Sequence, residues 1–169
     1  MEGEVLVAYA TKYGATAEIA ERIGQALQQA GAPAQTLPAA QVADVASYRA
    51  VVLGSGVYAG QWRREAVRFL QTHQEALAQR PVWLFSSGPT GMGDPLTLTQ
   101  GWRFPTAQQA LADRIAPRDT AVFHGALDPK KLNLLERLLS KGIKAPMGDF
   151  RDWPAITAWA VGIAEALRR

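Results

Sequence analysis

Cysteine is absent from the 169 residues. That excludes disulfides, thiolate metal ligands and thiol catalysis. Histidine is scarce: His73 and His124 stand far apart, neither lies in a metal-spaced cluster, and no metal site is predicted. No apolar run approaches the roughly 20 residues needed to span a bilayer, and the N-terminus lacks the apolar core of a signal peptide. Repeats and low-complexity tracts are missing as well. These absences lead to the expectation of a soluble, cytoplasmic chain. The remaining composition is ordinarily globular, 48% hydrophobic and 20% charged. Its length suits a single domain, residues 1–169, with a sizeable core. The net charge of +3 permits contact with anionic lipid or nucleic acid but establishes neither, and no nucleic-acid partner is predicted.

The most informative stretch is Thr11-Lys12-Tyr13-Gly14-Ala15-Thr16. It follows the apolar run 5–9, which reads as a buried parallel strand. It precedes a segment in which Ile19, Ile23 and Leu27 recur at helical spacing. Strand, hydroxyl-rich turn and helix together make a phosphate-binding arrangement. The first helical amides lack backbone partners and carry partial positive charge. Thr11 and Thr16 add hydroxyls, and Gly14 lets the backbone come close. The same pattern also serves as an ordinary helix cap, so both readings stand at this point.

Strand and helix signals alternate along the rest of the chain. Strands are expected at 34–37, 50–54, 81–86 and 120–126. Helices are expected at 40–48, 63–79, 105–115 and 154–167, with Asp152 capping the last. This alternation predicts an α/β fold with a doubly wound parallel sheet of five strands and helices on both faces. Ligands bind such sheets at the carboxyl ends of the strands.

Two further turns fall on that edge. Gly54–Trp62 holds three glycines and two aromatics, Tyr58 and Trp62, with flat faces. Ser86–Asp94 is rich in amides and hydroxyls, and Trp102 follows it. Loop composition alone accounts for either turn. Their occurrence together on one edge favours a single ligand with a phosphate end and a flat polar ring. Competing readings fail on the residues. A response-regulator receiver needs acidic residues after the first strand, where Ala8-Tyr9-Ala10 stands, and an aspartate after the third, where Gly54-Ser55 stands. The nucleotide-hydrolase motif G-x-x-x-x-G-K-[ST] is absent, and Gly54-x-Gly56 lacks the third glycine of a dinucleotide fingerprint.

On these three turns the chain resembles a flavodoxin-like FMN-binding domain over nearly its whole length. The resemblance implies FMN as cofactor and a strand order of 2-1-3-4-5, borrowed from the flavodoxins. It implies that Thr11, Lys12, Tyr13, Gly14, Ala15 and Thr16 hold the FMN phosphate. Ser55, Gly56, Val57 and Tyr58, with Ser87, Gly88, Pro89, Thr90, Gly91 and Gly93, would line the ring. Redox chemistry then resides on the flavin, and no catalytic acid/base pair is identified; Tyr58, Asp94 and His124 are candidates by location only.

Residues 128–149 form an insert after the fifth strand. Within Pro129–Lys144, Leu132, Leu135, Leu138 and Leu139 form an apolar stripe beside Lys130, Lys131, Arg137, Lys141 and Lys144. Such a segment packs its leucines on its own domain, docks a partner or lies on a membrane surface. Together with Ser55–Gly60 and Ala121–Leu127, this insert is similar to the menaquinone-dependent protoporphyrinogen oxidase group of flavodoxins. That resemblance implies oxidation of a tetrapyrrole precursor in haem biosynthesis, with electrons passing through FMN to a membrane quinone. It also implies peripheral contact with the inner face of the membrane through 129–144. Ser87–Gly91 is closer to ordinary flavodoxins. A non-catalytic electron carrier for a redox protein partner is therefore the alternative, and an interaction domain without cofactor a third.

Overall fold

The computed structural model describes residues 3–142 and 145–169; Lys144 of the basic stretch lies outside the described residues. The elements run β1 (Val5–Ala10), α1 (Ala15–Gln29), β2 (Ala34–Pro38), β3 (Ala50–Tyr58), β4 (Gln61–Trp62), α2 (Arg64–Ala78), β5 (Val82–Ser87) and α3 (Pro95–Leu98). There follow α4 (Gln109–Ile115), β6 (Asp119–Phe123), β7 (Ala126–Leu127), α5 (Leu134–Gly142), β8 (Gly148–Asp149) and α6 (Trp153–Ala166). The main sheet runs β2-β1-β3-β5-β6 with every neighbour parallel, and β4 pairs antiparallel with β3. Counting the parallel strands alone, the order is the expected 2-1-3-4-5.

A parallel sheet is covered on both faces, so its strands alternate between two cores. Val5, Val7, Ala50 and Val52 face one core, where α1 supplies Ile19, Ile23 and Leu27 and α6 supplies Ile156 and Ile163. Leu6, Ala8, Val51 and Leu53 face the other, under Phe69, Leu70 and Leu77 of α2 and Ile115 of α4. Each fully buried branched side chain contributes roughly 1.5–3 kcal/mol. Asp152 caps α6 as expected, its carboxylate accepting from the Ala155 amide at 3.0 Å.

Three expectations are corrected. The helix expected at 40–48 is only a 3-10 turn, Ala39–Gln41. Arg80 donates to the carbonyls of Val45 and Tyr48, which a helix would need for itself, and Asp44 accepts from the Ala46 amide in a local turn. The third strand does not end at Gly54 but continues to Tyr58, where the hairpin with β4 extends it. Ala59 and Gly60, at φ 49° and 72°, make the two-residue turn with both positions left-handed. The fifth strand stops at Phe123, because His124 and Gly125 turn aside to bond the loop after β5.

Gly54 has a packing role that its place in a glycine-rich stretch conceals. A Cβ there would lie 1.9 Å from Cζ of Phe85, its partner across the strands. The Phe85 ring fills that space and meets Phe123 and Trp159 at centroid distances of 5.8 and 6.1 Å.

The chain between β7 and β8 leaves the domain and returns at one place, since Ala126 pairs with Asp149 and Leu127 with Gly148. Of its apolar stripe, only Leu132 is buried, and it precedes the helix. On α5 itself Leu134, Leu135, Leu138 and Leu139 are 75%, 66%, 58% and 60% exposed. The leucines thus pack on their own domain at Leu132, while on α5 the partly covered positions are Glu136 and Ser140.

Candidate functional site

The loop between β1 and α1 is built around Gly14, which caps the helix at φ 96°, a left-handed conformation suited to glycine. Thr11 folds the loop by accepting the Gly14 amide at 3.0 Å. No side chain caps α1, so its first-turn amides point out of the loop without a side-chain acceptor. Thr16 is buried beside them. A Cβ on Gly56 would lie 3.1 Å from the Thr16 hydroxyl oxygen, so the absence of a side chain at 56 leaves a cradle there.

A cavity of about 540 Å³ opens over this loop. From the first loop Thr11, Lys12, Tyr13, Ala15 and Thr16 line it. Gly56, Val57 and Tyr58 form one wall, and Ser87, Gly88 and Thr90 another. Of the remaining site residues named from sequence, Gly14 shapes the first loop, and Ser55, Pro89, Gly91 and Gly93 lie behind or beside the lining. Ser55 is fully buried; its hydroxyl donates to the Gly56 carbonyl at 2.8 Å and accepts the Arg63 amide at 2.9 Å.

The two aromatics of the second loop part company. Tyr58 faces the cavity, edge-on to Tyr13 at 6.4 Å. Trp62 turns into the core, donating to Ser86 Oγ at 2.8 Å and packing edge-on to Phe104 at 4.8 Å. Burial pushes the Tyr58 hydroxyl up from its ordinary range, which keeps it protonated and neutral.

The candidates for acid/base work are held in structural roles. Asp94 caps α3, accepting the Thr97 amide at 2.9 Å. His124 is buried, and its ring nitrogens lie 3.1 Å from the Pro89 carbonyl oxygen and 2.7 Å from that of Gly93. The ring staples the third loop to the end of β6.

The insert supplies the part of the cavity that sequence reasoning missed. Leu132, Glu136, Leu139, Ser140 and Ala145 line it from above, and Gly125, Ala126 and Leu127 from the side. Glu136 forms an ion pair with Lys12 and accepts the Asn133 amide at 3.0 Å. The Lys12 ammonium, followed by its other neighbours, holds the Glu136 carboxyl down at about 2. Lys131 donates to the Tyr13 carbonyl at 3.1 Å, tying the insert to the same loop. No local pattern announces these contacts; only the leucine-and-lysine stripe marks the segment.

A second cavity, about 360 Å³, lies on the far side of Tyr13. Its strongest cation, Arg151, is already neutralised. The guanidinium pairs with Asp149 at 2.7 Å and with Glu18, donates to the Ala15 carbonyl at 3.2 Å, and lies over the Trp153 ring.

Uncapped helical amides, a cradle at Gly56 and a tyrosine wall fit a long ligand with a phosphate at one end and a flat ring at the other. Among the described residues there is no group of side chains arranged to hold a metal ion, and no helix is long and apolar enough to cross a membrane.

The fold is shared with solved structures. An archaeal flavodoxin superposes at a TM-score of 0.63 and 12% identity, over 98% of this chain and 99% of that one. A mutant flavodoxin from Pseudomonas aeruginosa gives 0.59 at 16% identity, with the same coverage. A flavodiiron core from Synechocystis gives 0.64 at 13% identity, over 98% of this chain but 36% of the longer one. No curated protein matches the sequence. The family model described as flavodoxin domain matches residues 6–152. That match spans most of the chain and the strand order is that of the fold, so the chain belongs to the flavodoxin domain family.

Proposed function

We propose that the chain is an FMN-dependent oxidoreductase that oxidises a tetrapyrrole of the protoporphyrinogen class and delivers the electrons to a quinone. When bound, FMN supplies the redox chemistry, taking electrons from a donor and releasing them to an acceptor. The protein's part is to bind and orient. The amides of the first turn of α1, with Thr11 and Thr16, would hold the phosphate. Tyr58 and the third loop, which line the cavity, would border the ring, and His124 keeps that loop in place.

The observation that carries the enzyme reading is the roof. Leu132, Leu139 and Ala145 roof the cavity opposite the first loop. They offer apolar walls to a macrocycle, and Lys130, Lys131, Arg137 and Lys141 lie on the same insert for its carboxylates. The second reading, an electron carrier for a redox protein, is supported by end-to-end similarity to proteins titled flavodoxins.

The absorption spectrum of the purified protein, with and without added FMN, comes first. A flavin band is expected, and a colourless protein that ignores FMN overturns both readings. Quinone-coupled oxidation of protoporphyrinogen by the flavin-loaded protein separates them. Turnover is expected; flavin binding without turnover leaves the carrier.

A further inference from the structure

Lys12 and Glu136 line the same cavity from opposite sides, one on the loop between β1 and α1, the other on α5. Their ion pair therefore runs from floor to roof. The Lys12 ammonium also lies 5.1 Å from the centre of the Tyr13 ring and 5.9 Å from that of Tyr58. The pair thus stands against the tyrosine wall that a flat ring would use.

Helix α5 is well held within itself. Asn133 and Glu136 cap each other, the Asn133 amide donating to the Glu136 carboxylate at 3.0 Å and the Glu136 amide to the Asn133 side chain at 2.8 Å. Arg137 donates to the Pro129 carbonyl at 2.9 Å. The hold of the helix on the rest of the domain is slight. Its four leucines face water. Among the described residues, every hydrogen bond or ion pair that leads from α5 out of the insert starts at Glu136. Lys131 and the buried Leu132, just before the helix, hold the near end. Both ends of the insert are pinned side by side where β7 meets β8, and Arg151 forks onto Asp149 beside them. Once one ion pair is broken, the helix can swing as a unit with the sheet untouched.

The cation of that pair belongs to the loop whose helical amides have no side-chain cap. A phosphate monoester on those amides carries about two negative charges, against the single charge of Glu136. It draws Lys12 toward itself and repels the carboxylate that holds it. The contact that closes the cavity turns repulsive once a phosphate is present.

We propose that α5 is a lid barred by the Lys12–Glu136 pair, and that a ligand carrying a phosphate opens it by taking Lys12 from Glu136. The proposal rests on the reading of the first loop as a phosphate site, and goes beyond it by giving Glu136 control of ligand entry.

Stopped-flow fluorescence of the flavin-free chain with FMN tests the bar. Glu136→Gln can still cap Asn133 but gives up the charge, and FMN should associate about fivefold faster than with the parent. Asp128→Asn removes a charge of the same sign from the same insert without touching the pair, and should associate like the parent. An unchanged rate in Glu136→Gln overturns the proposal. So does equal acceleration in Asp128→Asn, which assigns the gain to net charge.

Inorganic phosphate alone tests the coupling, followed by nuclear magnetic resonance. In the parent it should shift the amides of residues 14–16 and speed amide exchange over α5 about fivefold. In Lys12→Met that exchange should be fast from the start and indifferent to phosphate. Shifted loop amides with unchanged exchange at α5 refute the lid and leave the phosphate site standing. If no amide shifts and FMN is not bound, the phosphate reading fails and takes the lid with it.

Discussion

Lys12, in the loop between β1 and α1, is ion-paired with Glu136, which lies 124 residues further along the chain. The pair joins the first loop to the roof over the cavity, so the state of one carboxylate bears on both.

Lowering the pH should loosen this joint. Lys12 holds the Glu136 carboxyl at about 2, below its ordinary 4.5. A depressed acid contributes its stability fully above its unfolded value and loses it as pH falls through the folded one. The weakening is therefore expected between about pH 4.5 and pH 2. Nuclear magnetic resonance titration of the Glu136 carboxyl carbon checks the value. Lys12→Met should return the midpoint toward 4.5, and an unmoved midpoint would refute the assigned cause.

Thr16→Glu places a carboxylate beside the cradle at Gly56. Repulsion of a phosphate should weaken FMN retention about thirtyfold or more, roughly 2 kcal/mol. Because Thr16 is buried, Gly56→Val serves as an independent variant that fills the cradle with carbon instead. Fluorescence titration with FMN, on samples shown to be folded by circular dichroism, gives the affinities. Parent-like binding in both variants would remove the first loop from the phosphate site.

Gly54→Ala should destabilise the fold by about 2–3 kcal/mol, because the new methyl lands inside the Phe85 ring. Urea denaturation measures the loss. Phe85→Leu in the same chain should recover part of it, and a glycine kept for ligand access would show no such rescue.

Arg151→Lys keeps the charge but gives up the fork that bonds Asp149 through two nitrogens while reaching Glu18 and the Ala15 carbonyl. A loss of about 1–2 kcal/mol is expected. It should appear as faster amide exchange at β8 and the start of α1, with the far sheet unchanged. Uniform exchange across the molecule would contradict a local clamp.

His124→Ala leaves the Pro89 and Gly93 carbonyls without the ring that bridges them. The third loop should then exchange faster and FMN bind more weakly, at a stability cost of about 1–3 kcal/mol. His124→Gln, able to donate to one carbonyl at most fully, is expected to fall between. If flavin potential changes while loop exchange does not, the staple is the wrong role.

Much of the architecture is legible in local periodicity. Ile19, Ile23 and Leu27 mark the buried face of α1, and the apolar runs before the three loops mark strands whose ends share an edge. The Thr11–Thr16 loop is legible because the elements that shape it are its immediate neighbours. Tyr58 and Trp62 are different: both offer flat faces on the same turn. A two-residue turn and the pairing of Val57 with Trp62 decide which one faces the cavity. The leucine stripe of α5 is equally plain in the sequence, but its direction is not. Contacts with residues more than a hundred positions away, Lys12 with Glu136 and Lys131 with Tyr13, hold its polar side inward. Helical spacing carries no record of them. Gly54 misleads for a similar reason, since its partner Phe85 is known only once the strands are in register.

The two-residue ribbon of β7 and β8 has a further consequence. Because Leu127 and Gly148 are partners, the twenty or so residues between them begin and end at adjacent points on the domain. Loop-closure entropy rises slowly with length, by about 0.6 kcal/mol for each doubling. The segment therefore behaves as an exchangeable cassette: it can be shortened, lengthened or replaced with little demand on the sheet beneath. What roofs the cavity can change while the strands and helices of the main sheet stay as they are, at the cost of the ties from Glu136 and Lys131 to the first loop.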